Sequence, residues 1–348
     1  MKKKLLVLAV GAAMAAPAMA DVSIYGRAHV YADYLDVKNQ DVNSLNLSSN
    51  ASRIGFKAED TFGDITAFMQ LEQEYNTLQG NRNQAKSQFA TRNTFVGVKG
   101  DWGMVRAGRF DTPFKAARGP ANLFANQVGD MRVIFGSKND FDNRNDNTIH
   151  IQSPSYEGLQ FNLAYSVHEG EENIRQGAQR NDQSYSFSAT YEQGIFDAAL
   201  AYEKYEASKA DAIRLAGAAQ LTDELKAVAF YQHNGSEGTF QDANIYGVGA
   251  EFALIESTSL KGMYMGRDGK SSKDHADLVV VGVEHRIADP LRVYANYAYA
   301  FNKGDAADVT PWSNGGRSNS KVGYDDVNEN YAFGEDAQAL SVGLRYDF

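Results

Sequence analysis

Apolar residues recur at every second position over most of this chain, and no apolar run is long enough to cross a bilayer as a helix. Period two is the spacing of a strand that shows one face to an apolar medium and the other to water. Val22, Ile24, Gly26, Ala28 and Val30 fall on one face, with Ser23, Tyr25, Arg27, His29 and Tyr31 on the other. The weave returns at Ile54, Phe56 and Ala58, at Ile65, Ala67, Met69 and Leu71, at Val279, Val281 and Val283, and at Leu340, Val342 and Leu344. It predicts strands near 22–34, 51–60, 64–75, 89–100, 103–110, 146–153, 158–168, 183–192, 195–206, 210–221, 224–234, 243–254, 257–268, 275–287, 291–302 and 336–348. That is sixteen, an even number, which lets the last strand pair antiparallel with the first and close the sheet.

Several of these strands reach about ten residues, the length a tilted strand needs to cross a bilayer. Strands of soluble folds average nearer five or six. Mean hydropathy is −0.45, which excludes helical spanning but not a barrel, whose strands are polar on their lumen side. Hydrocarbon offers no partner to an unpaired backbone N–H or C=O, so only a closed sheet persists there. Short connections at 60–63, 100–103, 192–194 and 287–290 alternate with long polar ones around 35–50, 76–88, 169–182 and 303–335. Short turns on one rim and long loops on the other are the arrangement of outer-membrane barrels. The 19 Tyr and 19 Phe supply aromatic girdles at the two interfaces. The expected fold is all-β, a sixteen-stranded antiparallel transmembrane barrel.

Lys2, Lys3 and Lys4, the apolar run Leu5–Ala16, Pro17 and the small-residue site Ala18-Met19-Ala20 read as a secretory signal peptide over 1–20. Its removal takes three of the 34 basic residues and none of the 44 acidic ones, leaving 31 against 44, a net of −13 for 21–348. Nucleic acid is not an expected partner of so acidic a chain. There is no cysteine, so an exported chain of this size must rely on one continuous structure rather than on disulfides. A single barrel domain over 21–348 is expected.

One connection breaks the pattern of short and long. The segment from about 111 to 143 is too long for a rim loop, and connections of that length are usually functional. Folded inward, it would narrow the lumen. Parity places Arg27, Arg53, Arg92 and Arg144 on the lumen side of neighbouring strands, where acids of the inserted segment, Asp130 foremost and Asp140 or Asp142 besides, would oppose them across the narrowest point. Charged rings of this kind are how channels select. Val279, Val281, Leu340 and Val342 fall on the lipid side, and the closing run ends on the aromatic Phe348.

Enzyme chemistry finds little support. There is no Gly-x-Ser-x-Gly elbow, and the six histidines are scattered without the His-x-x-x-His spacing that favours zinc. Gly269-Lys270-Ser271 resembles the tail of a phosphate loop, but Tyr264 stands where that loop needs glycine. Asp140, Asp142 and Asp146 could offer oxygen ligands to a hard cation but lack the glycine and glutamate frame of a cation loop. No cofactor and no metal are expected. The rival to a channel is a structural or adhesive surface protein whose barrel is only an anchor; a substrate-selective pore is a narrower variant of the channel.

Val22-Ser23-Ile24-Tyr25-Gly26-Arg27, Ser52-Arg53-Ile54-Gly55-Phe56-Lys57, Arg92 through Gly100, Gly108-Arg109-Phe110-Asp111-Thr112-Pro113, Asn143 through Thr148 and the terminal Tyr346-Asp347-Phe348 together resemble the trimeric general-diffusion porins of Gram-negative outer membranes. The resemblance implies a homotrimer of sixteen-stranded barrels with the third long loop folded into each lumen. A basic wall would face acids on that loop, placing Arg53, Arg92 and Arg144 on the wall and Asp130 on the loop. It further implies that the loop at 76–88 latches neighbouring protomers, that Phe348 is read by the barrel-assembly machinery, and that the barrel sits among outer-membrane lipids and lipopolysaccharide, passing small polar solutes and ions. The loop departs from that pattern in carrying Lys115, Arg118, Arg132 and Lys138, which leaves the ion preference open.

Overall fold

Alternating residues that cannot bury both faces in one core pair into a continuous sheet, and here the sheet closes on itself. The computed structural model describes residues 21–39, 42–78, 90–135, 141–167, 183–236, 242–270, 274–304, 307–314, 317–318 and 334–348. The signal peptide over 1–20, the latch loop beyond Leu78, Lys138, Asp140, His168 and Ser271 lie outside the described residues.

In chain order the elements are β1 (Asp21–Val37), β2 (Val42–Ser49), β3 (Arg53–Phe62), β4 (Ile65–Glu74), β5 (Thr94–Gly100), β6 (Gly103–Asp111), α1 (Pro113–Ala116), β7 (Arg144–Gln152), β8 (Leu159–Ser166), β9 (Ser184–Gln193) and β10 (Phe196–Tyr205). There follow β11 (Ala210–Gln220), β12 (Leu225–Ser236), β13 (Ala243–Ile255), β14 (Thr258–Gly269), β15 (His275–Ala288), β16 (Leu291–Lys303), the two-residue pair β17 (Ser313–Asn314) and β18 (Arg317–Ser318), and β19 (Ala337–Asp347). Apart from β2 and β3, which both pair with β1, each barrel strand pairs antiparallel with its neighbours in sequence, and β1 pairs with β19 from Arg27↔Asp347 to Val37↔Ala337. Backbone bonds between Gly26 and Phe348, at 2.8 and 3.0 Å, seal the seam at its turn end. Glycine suits position 26 because a Cβ there would stand 2.7 Å from the Arg53 carbonyl oxygen, closer than the backbone can allow.

The second stave is broken. β2 pairs with the upper part of β1 (Val30↔Ser49 to Val37↔Val42) and β3 with the lower part (Asp21↔Glu59 to Arg27↔Arg53), with Ala51 at φ +56° between them. Counting β2 and β3 as one stave gives the expected sixteen. The expected long polar loop at 35–50 is therefore corrected to a tall hairpin: Leu35 and Val37 are buried on the inner face, while Leu45 and Leu47 stand exposed outside.

Side-chain exposure follows the predicted parity. Val281 is 51 % exposed and its neighbour Val280 is 0 % exposed. Val279, Leu340 and Val342 are exposed as well. A soluble monomer rarely shows so continuous an apolar surface, whereas a lipid-facing band requires it. Exposed Trp102, Tyr191, Phe196 and Tyr346 sit near one rim, and Tyr165, Tyr185, Tyr202 and Phe301 near the other, the positions of two interfacial girdles. Val281→Arg is expected to destabilise the barrel by about 2–4 kcal/mol if the residue sits near the bilayer midplane. Denaturant unfolding in lipid vesicles measures it, and an unchanged midpoint would refute the lipid-side assignment.

Candidate functional site

The segment after β6 is shaped by local polar chemistry before it touches the sheet. The Thr112 hydroxyl accepts the Lys115 N–H at 3.2 Å and Pro113 occupies the first turn, starting the single-turn helix α1. Gly119–Ala121 and Met131–Phe135 form 3-10 turns. The Asp130 carboxylate binds the segment together, accepting from the backbone N–H of Asn126 (2.7 Å) and Arg132 (3.0 Å) and from the side chains of Asn122 and Arg132 (both 3.3 Å). Burial works against its ionisation, but Arg132, Arg118 and the two backbone N–H groups hold its carboxyl down at about 2.

This segment lies on the face of the sheet opposite the exposed one. Phe124, Val128, Met131 and Ile134 pack in one buried cluster with Phe230, Ile245, Met265, Leu278 and Val280. At its root, the buried Arg214 guanidinium donates to the Phe114 carbonyl (3.0 Å), to Asp142 Oδ1 (2.8 Å) and to Gln232 Oε1 (2.7 Å), beneath the Phe114 ring. The Phe114 N–H donates to Ser186 Oγ at 3.0 Å. At the far end, Asn50 donates to the Asn126 carbonyl (2.8 Å) and Asn296 to Gln127 Oε1 (2.8 Å). The signal for this docking is in the sequence. Leu278-Val279-Val280-Val281 is apolar at both parities, which a strand with one watered face would not be.

Between the segment and the wall of β1 to β7 is a cavity of about 450 Å³. Arg27, Arg53, Arg92 and Arg144 line it from the wall, and Lys115, Arg118 and Arg132 from the segment. Seven cationic side chains thus face it, against three carboxylates, Glu72, Glu74 and Asp111. The four arginines picked out by parity are brought together. Their partners are wall acids rather than acids of the opposing segment. Glu72 takes Arg53 (3.2 Å) and Arg92 (2.6 Å), Glu74 takes Arg92 (2.8 Å), and Asp111 takes Arg144 and Lys115 (both 2.9 Å). Arg27 shares Asp347 with Arg345 at 2.6 and 2.8 Å.

Asp130 and Asp142 are not among the residues that line the cavity. Asp130 is fully buried and spent on the turn it organises, and Asp142 is held by Arg214 and Arg118, so neither faces the wall arginines. Burial raises the Asp142 carboxyl, and the guanidiniums of Arg214 and Arg118 outweigh it to leave the group below its usual range. Cations look in from both sides. Burial pushes Lys115 down to about 8, against the pull of Asp111 and with the help of Arg144 and Arg118.

Of the carboxylates considered for a hard cation, Asp146 is taken by Arg109 and Asp142 as above, and Asp140 lies outside the described residues. Among the described residues no group of three or more His, Asp or Glu side chains is arranged to hold a metal.

A model of the Gram-negative porin family matches residues 6–305. The chain is 32 % identical over 170 residues to a chitoporin of Vibrio furnissii, covering 47 % of this chain and 45 % of that one. It spans about half the length of the curated relatives it matches. Among solved structures, an anion-selective porin from Comamonas acidovorans aligns with a TM-score of 0.77 at 20 % identity, over 94 % of this chain and 100 % of that one. OmpT of Vibrio cholerae, in its trimer form, aligns with a TM-score of 0.66 at 16 % identity, over 95 % and 100 %.

Proposed function

The chain belongs to the Gram-negative porin family, and from that premise we propose that it is a passive outer-membrane channel for small hydrophilic solutes, with a preference for anions set at the cavity between the 112–135 segment and the arginine wall. The observation that carries the reading is the balance of seven cationic against three acidic side chains around one space. The whole chain is acidic, but charges farther than a Debye length of about 8 Å are screened at physiological salt; nearer by, Asp130, Asp142 and Asp347, paired with Arg132, Arg118 and Arg27, reduce the local excess without reversing it. Arg27, Arg53, Arg92 and Arg144 are the selective wall, and the segment is the constriction. Solutes move down their gradient, and neither nucleotide nor metal chemistry enters.

The protein works as a homotrimer, an assembly one solved neighbour adopts. Residues 1–20 serve as the cleaved export signal, Phe348 as the mark for the barrel-assembly machinery, and the apolar belt as the seat for lipid and lipopolysaccharide.

Planar-bilayer recording of the purified protein under a salt gradient tests this. Steps in threes with a reversal potential of anion sign are expected. Silence from folded protein would replace the channel with a surface anchor. A pH series adds a residue-level check. Lys115 is charged below about 8 and neutral above it, so anion preference should fall between about pH 7 and 9. Lys115→Arg should remove that dependence, since a guanidinium stays protonated; a pH dependence that survives in this variant would clear Lys115 of the role.

A further inference from the structure

A second stretch of chain grips the constriction segment. We propose that residues 307–314, at the start of the last long loop, form a clasp that holds the 112–135 segment in place, so that two segments set the aperture together. The inference rests on the channel reading above.

The contacts between the two segments are direct. The Gly129 N–H donates to the Pro311 carbonyl at 2.9 Å. Gly129 stands at φ +83°, and a Cβ there would meet Val280 Cγ1 at 2.5 Å, so at this point the segment is wedged between barrel wall and clasp. Val309 and Trp312 are buried in the same apolar cluster as Phe124, Met131 and Ile134.

Two barrel side chains fix the clasp itself. Asn302 on β16 holds Val309 by both backbone groups, donating to its carbonyl at 2.9 Å and accepting its N–H at 3.0 Å. Buried Arg267 on β14 donates to the Ile134 carbonyl of the constriction segment (3.3 Å) while pairing with Asp308 of the clasp (2.9 Å) and with Asp274. One guanidinium therefore ties wall, constriction and clasp together. A chain that merely crossed the mouth of the barrel would need none of these bonds. Buried polar groups satisfied across two segments tie the position of one to that of the other.

Trp312→Ala and Asn302→Ala, recorded beside the parent in planar bilayers, test the clasp. Heat-modifiable electrophoretic mobility checks that each barrel folds. Larger conductance steps and a roughly fivefold rise in the frequency of partial closures are expected, the factor that about 1 kcal/mol of lost restraint gives. Parent-like steps and closures in folded variants would overturn the clasp while leaving the channel standing. A silent parent would instead remove the channel, and the clasp with it. Val309→Ala, a smaller cut into the same contact, decides the matter if either variant fails to fold.

Discussion

Arg214→Met is expected to cost about 3 kcal/mol, because removing one partner of a buried ion pair leaves the other charge uncompensated in a medium that cannot solvate it. Arg214 is fully buried and meets the Phe114 carbonyl, Gln232 and Asp142 together. Glu203, also fully buried, lies within the field of the same guanidinium. Methionine keeps much of the volume and loses every donor. Asp142 would keep Arg118 but lose its buried partner, and the root of the constriction segment would lose its tie to the barrel. Lysine should restore little, since a point charge cannot donate in three fixed directions as a planar fork does. Denaturant unfolding in detergent measures the loss. The more exposed pair of Arg109 with Asp146 provides the contrast: Arg109→Gln should cost under about 1 kcal/mol. Equal losses for the two variants would mean that Arg214 is not the hub its bonds make it.

What the sequence could reveal was whatever repeats. Period two identified the staves and their lipid side, because a strand's two faces sample two solvents and the alternation at Val279, Val281 and Val283 records it. It also placed Arg27, Arg53, Arg92 and Arg144 on the lumen face. The hairpin of β1 and β2 escaped notice because its inward residues, Asn46 and Ser48 among them, are polar and read as loop, although Leu45 and Leu47 keep the period. Glu72 shares the parity that singled out the arginines, and the register Arg53↔Glu74 follows from counting back through the short turn at 63–64. Parity finds candidates one strand at a time, while ion pairs form across strands. Asp130 is harder to place from sequence, for a different reason. An acid in an irregular segment can face outward or turn back onto its own N–H groups, and composition does not distinguish the two. Where the segment docks was readable in principle from the strands apolar on both faces.

Neutralising Arg27, Arg53 and Arg132 together, each as Arg→Gln, should remove most of the anion preference without unfolding the barrel. Each of these three has an acid with a further donor. Asp347 keeps Arg345, Glu72 keeps Arg92, and Asp130 keeps the backbone N–H groups of Asn126 and residue 132. No carboxylate is left orphaned, so the substitutions change charge rather than structure. Around the cavity the balance moves from seven cations against three acids to four against three. A unit charge about 4 Å from a passing ion is worth about 1 kcal/mol even in a water-like dielectric. Losing three of them should lower the anion-to-cation permeability ratio by on the order of tenfold or more, and the reversal potential under a salt gradient should move most of the way to that of an uncharged pore. Step size and thermal stability should stay close to the parent's, since the constriction is held by Arg214 and the apolar cluster, which are untouched. A reversal potential that does not move would show that ions are selected elsewhere along the lumen. A collapse of stability would instead mean that one of these guanidiniums carries more of the fold than its shared acid implies.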